Sequence, residues 1–541
     1  MNASDYENKI RQLIETDKYI VLQKDPTTSI ERQVYQLLRK HQPHLTEATK
    51  RKLTPHNSKA PHIYGLPKIH KQDFPLRPII SSCDSPCQAL SKFLLDIVSP
   101  LSGNTASHVK NSSHFKTIAE HLSIEPNDIL VSFDVQSLFT NVPVAETLSI
   151  IERRLGEDET LTERTNIPIP TIMEFFSICV NTTYFQFQDT FYKQTDGMAM
   201  GSSLSPFMAN IFMENLEQEA LSQTDTPPKV WLRYVDDTFL IWQHGHEKLQ
   251  VFAEFLDSLR PSIKFTHETE TDLKLPFLDV LVCRTNNVIK TTVYRKPTHT
   301  GQYLNFKSNH ASHTKAGIIR TLVNRAETIC SEPDNTCAEL QHIKQELMAN
   351  GYPDTFINKH MVQKSGILTD LGNKDTPIAT MVLPYVKGLS EKIRRLASKH
   401  NIRTAFKSST TLRNVLTKVK PANVRTDTKE CIYKIPCECG NVYIGETGRP
   451  LSVRINEHKR NCSRGEMEKS KLAEHAWSHS HKILFDKAEP IAKESNAWKR
   501  KIKESAFITG NKNVFSQQSI QLKDIWFPII KKEIQLSNRK N

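Results

Sequence analysis

The chain has 541 residues, 38% of them hydrophobic and only 17 of them glycine, so it can bury real cores and is long enough for roughly three domains. A disordered chain and a fibrous repeat are thereby excluded. No apolar run approaches the roughly 18 to 20 residues that cross a bilayer, and Met1–Ile10 lacks the basic-then-apolar layout of a secretory signal, so an intracellular, soluble protein with no membrane partner is expected. The net charge is +13 and unevenly spread: from Met381 to Asn541 there are 33 Lys and Arg against 15 Asp and Glu. Such a basic block is the footprint of a polyanion, most often nucleic acid. Ten cysteines in an intracellular chain suit thiols or a metal site better than a disulfide framework.

In chain order, residues 1–60 place Ile10, Leu13, Ile14, Val34, Leu37 and Leu38 at helical spacing, which predicts a helical N-terminal segment. Residues 61–306 alternate short β-rich runs, such as Ile129–Phe133 and Phe239–Trp242, with amphipathic stretches such as Leu204–Leu216, which predicts an α+β domain. Across 307–426 helical spacing returns (Ile318, Ile319, Leu322, Ile393, Leu396) and basic residues dominate, so a helical part with a basic connector is expected. Residues 427–541 begin with two β-rich runs, Ile432–Ile435 and Asn441–Ile444, and continue as helices.

Asp134 closes an apolar run, and Asp236 and Asp237 sit in a turn before the run Thr238–Trp242. Three carboxylates brought to one sheet edge repel one another unless cations lie between them, and oxygen ligands suit hard divalent ions such as Mg²⁺. Two such ions activate a 3′ hydroxyl and stabilise departing pyrophosphate. Around these aspartates five motifs occur in order: Tyr64–Lys71, Leu76–Ile80, Phe133–Pro143, Gly197–Pro206 and Tyr234–Asp237, trailed by Leu275–Val280 and Tyr294–His299. In that order and spacing they resemble the reverse transcriptase domain of Penelope-like retroelements, relatives of telomerase.

The resemblance implies a right-hand polymerase of fingers, palm and thumb, with fingers and palm over 61–306 and a helical thumb with the connector over 307–426. It implies Asp134, Asp236 and Asp237 as catalytic carboxylates holding two Mg²⁺, and Lys68 and Arg77 as fingers cations for the incoming triphosphate. Phe139 would lie beneath the sugar and select deoxynucleotides. Gly201 and Ser202, with Gly197, would let backbone approach template and nucleotide.

At the basic end, Tyr433 and Tyr443 lie on two runs flanking a turn, Arg454 and His458 are four apart on a helical stretch, and Glu504 falls on a later helix. These residue types suit phosphodiester cleavage: a base, a cation and a carboxylate for one Mg²⁺. Ile432–Lys434, Tyr443–Gly445, Thr447, Arg449, Leu451, Arg454, His458 and Glu504 together resemble a GIY-YIG endonuclease, a small α/β domain, departing from the pattern at Cys431. On that resemblance Tyr433, Tyr443, Arg454, His458 and Glu504 are catalytic, Tyr433 the base and Glu504 the Mg²⁺ ligand. Cys437 and Cys439 with His475 and His481 make the donor set of a tetrahedral, structural Zn²⁺ site, with His479 a competing ligand.

The joint expectation is an RNA-directed DNA polymerase coupled to an endonuclease that nicks target DNA to prime reverse transcription. Its partners would be an RNA template, a DNA primer and target, and deoxynucleoside triphosphates, and its compartment the nucleus. Only about sixty residues precede the first motif, less than the long amino-terminal region typical of full-length relatives, which leaves two readings, an incomplete gene product or a compact version, and leaves open the RNA binding assigned to that region. Two other readings stand beside it: a decayed or domesticated copy that binds nucleic acid, and a chain active only as a nuclease.

Overall fold

The structure, a computed structural model, describes residues 2–55, 58–69, 71–285, 287–362, 377–407 and 428–530. The chain divides into two compact units, residues 1–407 and 408–541.

The first unit is built around a four-stranded antiparallel sheet in the order Val230–Tyr234, Asp237–Trp242, Ile129–Val135, Phe265–Thr269. Side chains alternate across it, as a pleated strand demands. Val131, Phe133 and Val135, with Leu240 and Trp242, face one core, where the helices Val144–Gly156, Ser205–Gln223 and Gly245–Leu259 bring Ile151, Phe212 and Phe252. Leu130, Phe239 and Ile241 face a second core, closed by a three-stranded meander, Lys274–Phe277, Val280–Thr285 and Val288–Val293. Because both faces are buried, the strands read as continuous apolar runs that break at the aspartates.

A five-stranded sheet runs in the order Tyr19–Leu22, Thr190–Gln194, Tyr184–Phe187, His62–Pro67, Leu76–Ser81. Residues 1–60 form the expected helices, Ala3–Ile14, Thr27–Lys40 and Glu47–Leu53, but not as a separate segment. Tyr19–Leu22 is an edge strand of this sheet, Ile10 and Ile14 pack with Ile63, Leu76 and Ile80, and Ile30, Val34 and Leu38 join the main core. A four-residue strand among helices carries too little periodicity to be separated from them in the sequence.

After the meander, helices Ser312–Ile329, Pro333–Ala349 and Asp354–Met361 share a core of Ile319, Val323, Ile343, Leu347, Tyr352 and Ile357. The connector, expected to be helical, also contains a parallel strand pair, Ala379–Leu383 with Ile402–Phe406, joined by the helix Leu389–Lys399. The basic residues of the connector at 408–426, like residue 427, lie outside the described residues.

The second unit has a three-stranded antiparallel sheet, Val442–Thr447, Cys431–Pro436 and Glu489–Lys493 in that order, packed by the helices Leu451–Ser463, Lys471–His479 and Ala497–Gly510. Among the described residues no helix is long and apolar enough to cross a membrane.

Candidate functional sites

In the first unit, Asp134 pairs directly with Asp237 across adjacent strands, and Asp236 occupies the two-residue hairpin loop with Val235. Asp134 and Asp237 therefore stand side by side, and the charge of Asp236 reaches both. Burial lifts Asp134 above the ordinary carboxylate range, the charge of Asp236 adds to that, and Lys71 and Lys68 oppose it. Asp237 is pushed up to about 6 by burial and by the charges of Asp236 and Asp134, against the pull of Lys296 and Arg77. Lys68 is in turn lowered by burial and by the neighbouring cations Lys71 and Arg77, while Asp134 and Asp236 draw it upward. Asp134 and Asp237, raised in this way and within electrostatic reach of cations, have the oxygen-donor chemistry that suits hard divalent ions.

Lys68 follows the strand His62–Pro67, and Arg77 lies on its hairpin partner Leu76–Ser81 opposite Leu66. Lys71 and Lys296 face the same carboxylates and went unselected in the sequence, although both lie inside the quoted motifs. Phe139, on the short helix Leu138–Asn141, is partly buried against the main core, and its carbonyl accepts a bond of 2.6 Å from the Met198 amide.

The glycines admit a close approach of the protein's own backbone. A Cβ on Gly197 would fall 2.4 Å from the Thr140 carbonyl oxygen, and one on Gly201, at φ +123°, 2.2 Å from that of Ile80. Their smallness therefore seats the loop 197–202 on the protein's own backbone, where Ile80 N–H donates to Met200 at 2.8 Å and the Ser82 hydroxyl to the Gly201 carbonyl at 2.8 Å. Ser202 closes the turn by donating to Ala199 at 3.3 Å.

In the second unit, Tyr433 is fully buried, and its hydroxyl lies 2.8 Å from Nε2 of His458, whose Nδ1 is 3.2 Å from the Ser470 hydroxyl. Burial holds His458 down at about 4, helped by Arg454, so the imidazole is neutral. Burial and Tyr443 push the Tyr433 phenol well above its usual range, partly offset by Arg454. The expected base is thus a protonated phenol hydrogen-bonded to a neutral imidazole. Tyr443 stands edge-on to His458 with centroids 5.3 Å apart. Gly445 leaves room for the Tyr433 hydroxyl, which a Cβ there would approach to 2.7 Å.

Glu504 projects from the helix Ala497–Gly510 and is 5% exposed, with Oε2 unpartnered among the described residues. Burial and the charge of Glu446 raise it, against a bond from Ser519. Its charge is felt by both tyrosines. A buried, half-satisfied carboxylate within electrostatic reach of two phenols fits a divalent ion.

Cys437, Cys439, His475 and His481 offer ligand atoms all within 4.8 Å of one another. Cys439 Sγ is 3.4 Å and His481 Nδ1 3.2 Å from His475 Nε2. His479 lies outside this foursome, its ring stacked on His475 at 4.9 Å. Two thiols and two imidazoles in so small a volume fit zinc.

The central sheet, with its carboxylates at one end and cations around them, is a mixed α/β polymerase-like fold. Residues 69–265 match the family described as "Reverse transcriptase (RNA-dependent DNA polymerase)", so the chain carries a reverse transcriptase domain. Residues 302–362, the three-helix part, match the "Animal helix-turn-helix domain". Among solved structures, the chain is similar to Candida albicans telomerase in complex with a fragment of telomeric RNA, at 12% identity and a TM-score of 0.39, covering 61% of this chain and 59% of that one. It is also similar to apo telomerase of Candida tropicalis (13%, TM-score 0.37, 63% and 67% covered) and to the BmCPV RNA-dependent RNA polymerase at elongation state (10%, TM-score 0.33, 63% and 31% covered). The chain thus spans less than two thirds of the length of the Candida albicans chain. No curated protein sequence matches it.

Proposed function

We propose that the chain is the RNA-directed DNA polymerase of a Penelope-like retroelement, coupled to a GIY-YIG endonuclease that nicks target DNA and so provides the primer. The observation that carries the reading is the direct cross-strand pairing of Asp134 with Asp237 beside the loop that holds Asp236, within electrostatic reach of Lys68, Lys71, Arg77 and Lys296. The three aspartates would hold two Mg²⁺ ions. When bound, such ions neutralise charge at the attacking 3′ hydroxyl and the departing pyrophosphate. Lys68 and Arg77 grip the triphosphate of the incoming nucleotide, Arg through its planar fork and Lys as a point charge. Phe139 excludes a 2′ hydroxyl, and the loop carrying Gly201 and Ser202 lines the nucleotide's approach.

In the second unit the Tyr433 hydroxyl, bonded to neutral His458, takes the proton of the attacking water as its own proton passes to the imidazole. Arg454 faces the developing charge on phosphorus, and Glu504 would hold one Mg²⁺. Zinc at Cys437, Cys439, His475 and His481 would tie the hairpin to the helix Lys471–His479. RNA template, DNA primer and target, and deoxynucleoside triphosphates are the substrates, and the nucleus is the compartment.

Primer extension on an RNA template with deoxynucleotides and Mg²⁺ tests the reading, with D236N/D237N as control. Extension by the wild type and none by the double variant is expected; equal failure of both overturns the polymerase. Glu504→Ala is expected to abolish nicking of supercoiled plasmid, and undiminished nicking removes Glu504 from the mechanism.

A further inference from the structure

The loop that carries Asp236 is strained. Tyr234 and Asp237 are direct cross-strand partners, so Val235 and Asp236 form a two-residue hairpin loop, and Val235 sits at φ +56°. Glycine normally fills the first position of such a loop; a β-branched residue there is held only where its surroundings over-determine it.

The restraint comes from below. Arg233 is 0% exposed, and its guanidinium reaches in three directions. Nε donates to Glu217 at 2.5 Å, and NH1 donates both to Asn210 at 3.1 Å and to the Val235 carbonyl at 3.0 Å. Asn210 and Glu217 are seven residues apart on the helix Ser205–Gln223, hence two turns apart on one face. Glu217 is itself fixed by Trp231 Nε1 at 2.9 Å and by the Ser107 hydroxyl at 2.9 Å. The Arg233 backbone is locked too, its amide to Ser107 and its carbonyl to Val109. On the other side of the loop, the Asp236 carbonyl accepts from Val135 N–H at 3.2 Å, next to Asp134.

We propose that Arg233 is a positioning residue: anchored by Glu217 and Asn210, its guanidinium holds the Val235 carbonyl and thereby the strained loop that sets Asp236 and Asp237 against Asp134. The assignment rests on the polymerase reading for its consequence, but its geometry belongs to the chain alone. The helix that supplies the anchors begins three residues after Ser202, so the same element that ends the glycine loop also steadies the aspartates. A lysine in place of Arg233 has no planar fork and cannot serve Glu217, Asn210 and Val235 together.

The test uses the full chain with Arg233→Lys, Asn210→Ala and the double variant R233K/V235G. Glycine adopts positive φ freely, so the loop no longer needs its tether. Circular dichroism reads the fold, calorimetry reads Mn²⁺ affinity, and primer extension reads kcat and KM. Arg233→Lys is expected to lower kcat and Mn²⁺ affinity about tenfold with KM for the nucleotide nearly unchanged. Asn210→Ala is expected to move both in the same direction by less, and R233K/V235G to recover most of the loss. Wild-type kcat and Mn²⁺ affinity in Arg233→Lys, or a double variant as impaired as the single one, overturns the proposal. Should Arg233→Lys fail to fold, Asn210→Ala decides: unchanged kcat and Mn²⁺ affinity there overturn the proposal. If the wild type extends no primer, the polymerase reading fails by itself, and the Mn²⁺ affinities of the same variants still decide the role of Arg233.

Discussion

Asp134 and Asp237 face each other as a direct cross-strand pair, an arrangement in which two carboxylates repel. Removing one should therefore stabilise the fold while destroying its chemistry. In the absence of divalent ions, Asp237→Asn is expected to raise the unfolding free energy by about 1 kcal/mol, a melting shift of a few degrees, and to abolish primer extension. A lowered melting temperature would show that Asp237 is a structural partner rather than a strained ligand.

The seat of the loop 197–202 makes a second prediction. Gly201→Ala puts a methyl group 2.2 Å from the Ile80 carbonyl oxygen at a φ of +123°, so a backbone rather than a flexible side chain must shift. A destabilisation of about 2 kcal/mol or more is expected in denaturant unfolding. Gly156→Ala, on the surface of a helix with nothing near its Cβ, should be neutral or slightly stabilising in the same experiment.

His458 gives the second unit a dependence on pH. Its folded pKa, about 4, is below the ordinary histidine value, so between these limits the unfolded chain binds a proton that the folded chain refuses. The stability is fully present above about pH 6.5 and falls as pH drops toward 4, by up to about 3 kcal/mol. Thermal melts of the full chain across this range should show the second unit's transition moving down. His458→Asn should flatten that movement.

The Cys and His foursome predicts a metal content. Elemental analysis should find about one zinc per chain, and a strong chelator should lower the melting temperature of the second unit but leave the first alone. Cys439→Ser should abolish the zinc. A chain with no zinc and no response to chelator would make the cluster a set of free thiols and imidazoles.

Much of both sites was legible because the chemistry-bearing residues sit where local rules place them. Asp134 ends a strand and Asp236 and Asp237 lie at a hairpin loop, positions that follow from apolar runs and their interruptions. Cys437, Cys439, His475 and His481 were recognisable by donor type, and the structure gathers all four. Lys71 and Lys296 were not, since a lysine on a loop looks the same whether it faces water or a carboxylate. The edge strand Tyr19–Leu22 and the parallel pair Ala379–Leu383 and Ile402–Phe406 were hidden for a related reason: short strands depend on partners distant in the chain.

What the amino-acid order determined by itself is the inventory and its spacing: ordered motifs, carboxylates after strands, cations nearby, thiols and imidazoles at ligand spacing, and a basic final third. These are properties of side-chain type and of periods two and 3.6, which need no distant neighbour. Only the tertiary structure decided which glycine touches which carbonyl, that Tyr433 is buried against a neutral His458, and that Arg233 reaches helix and loop together. Such facts arise from packing, where a group's partners and dielectric are set by other segments, from a neighbouring helix to a strand more than a hundred residues away, and no local pattern encodes them.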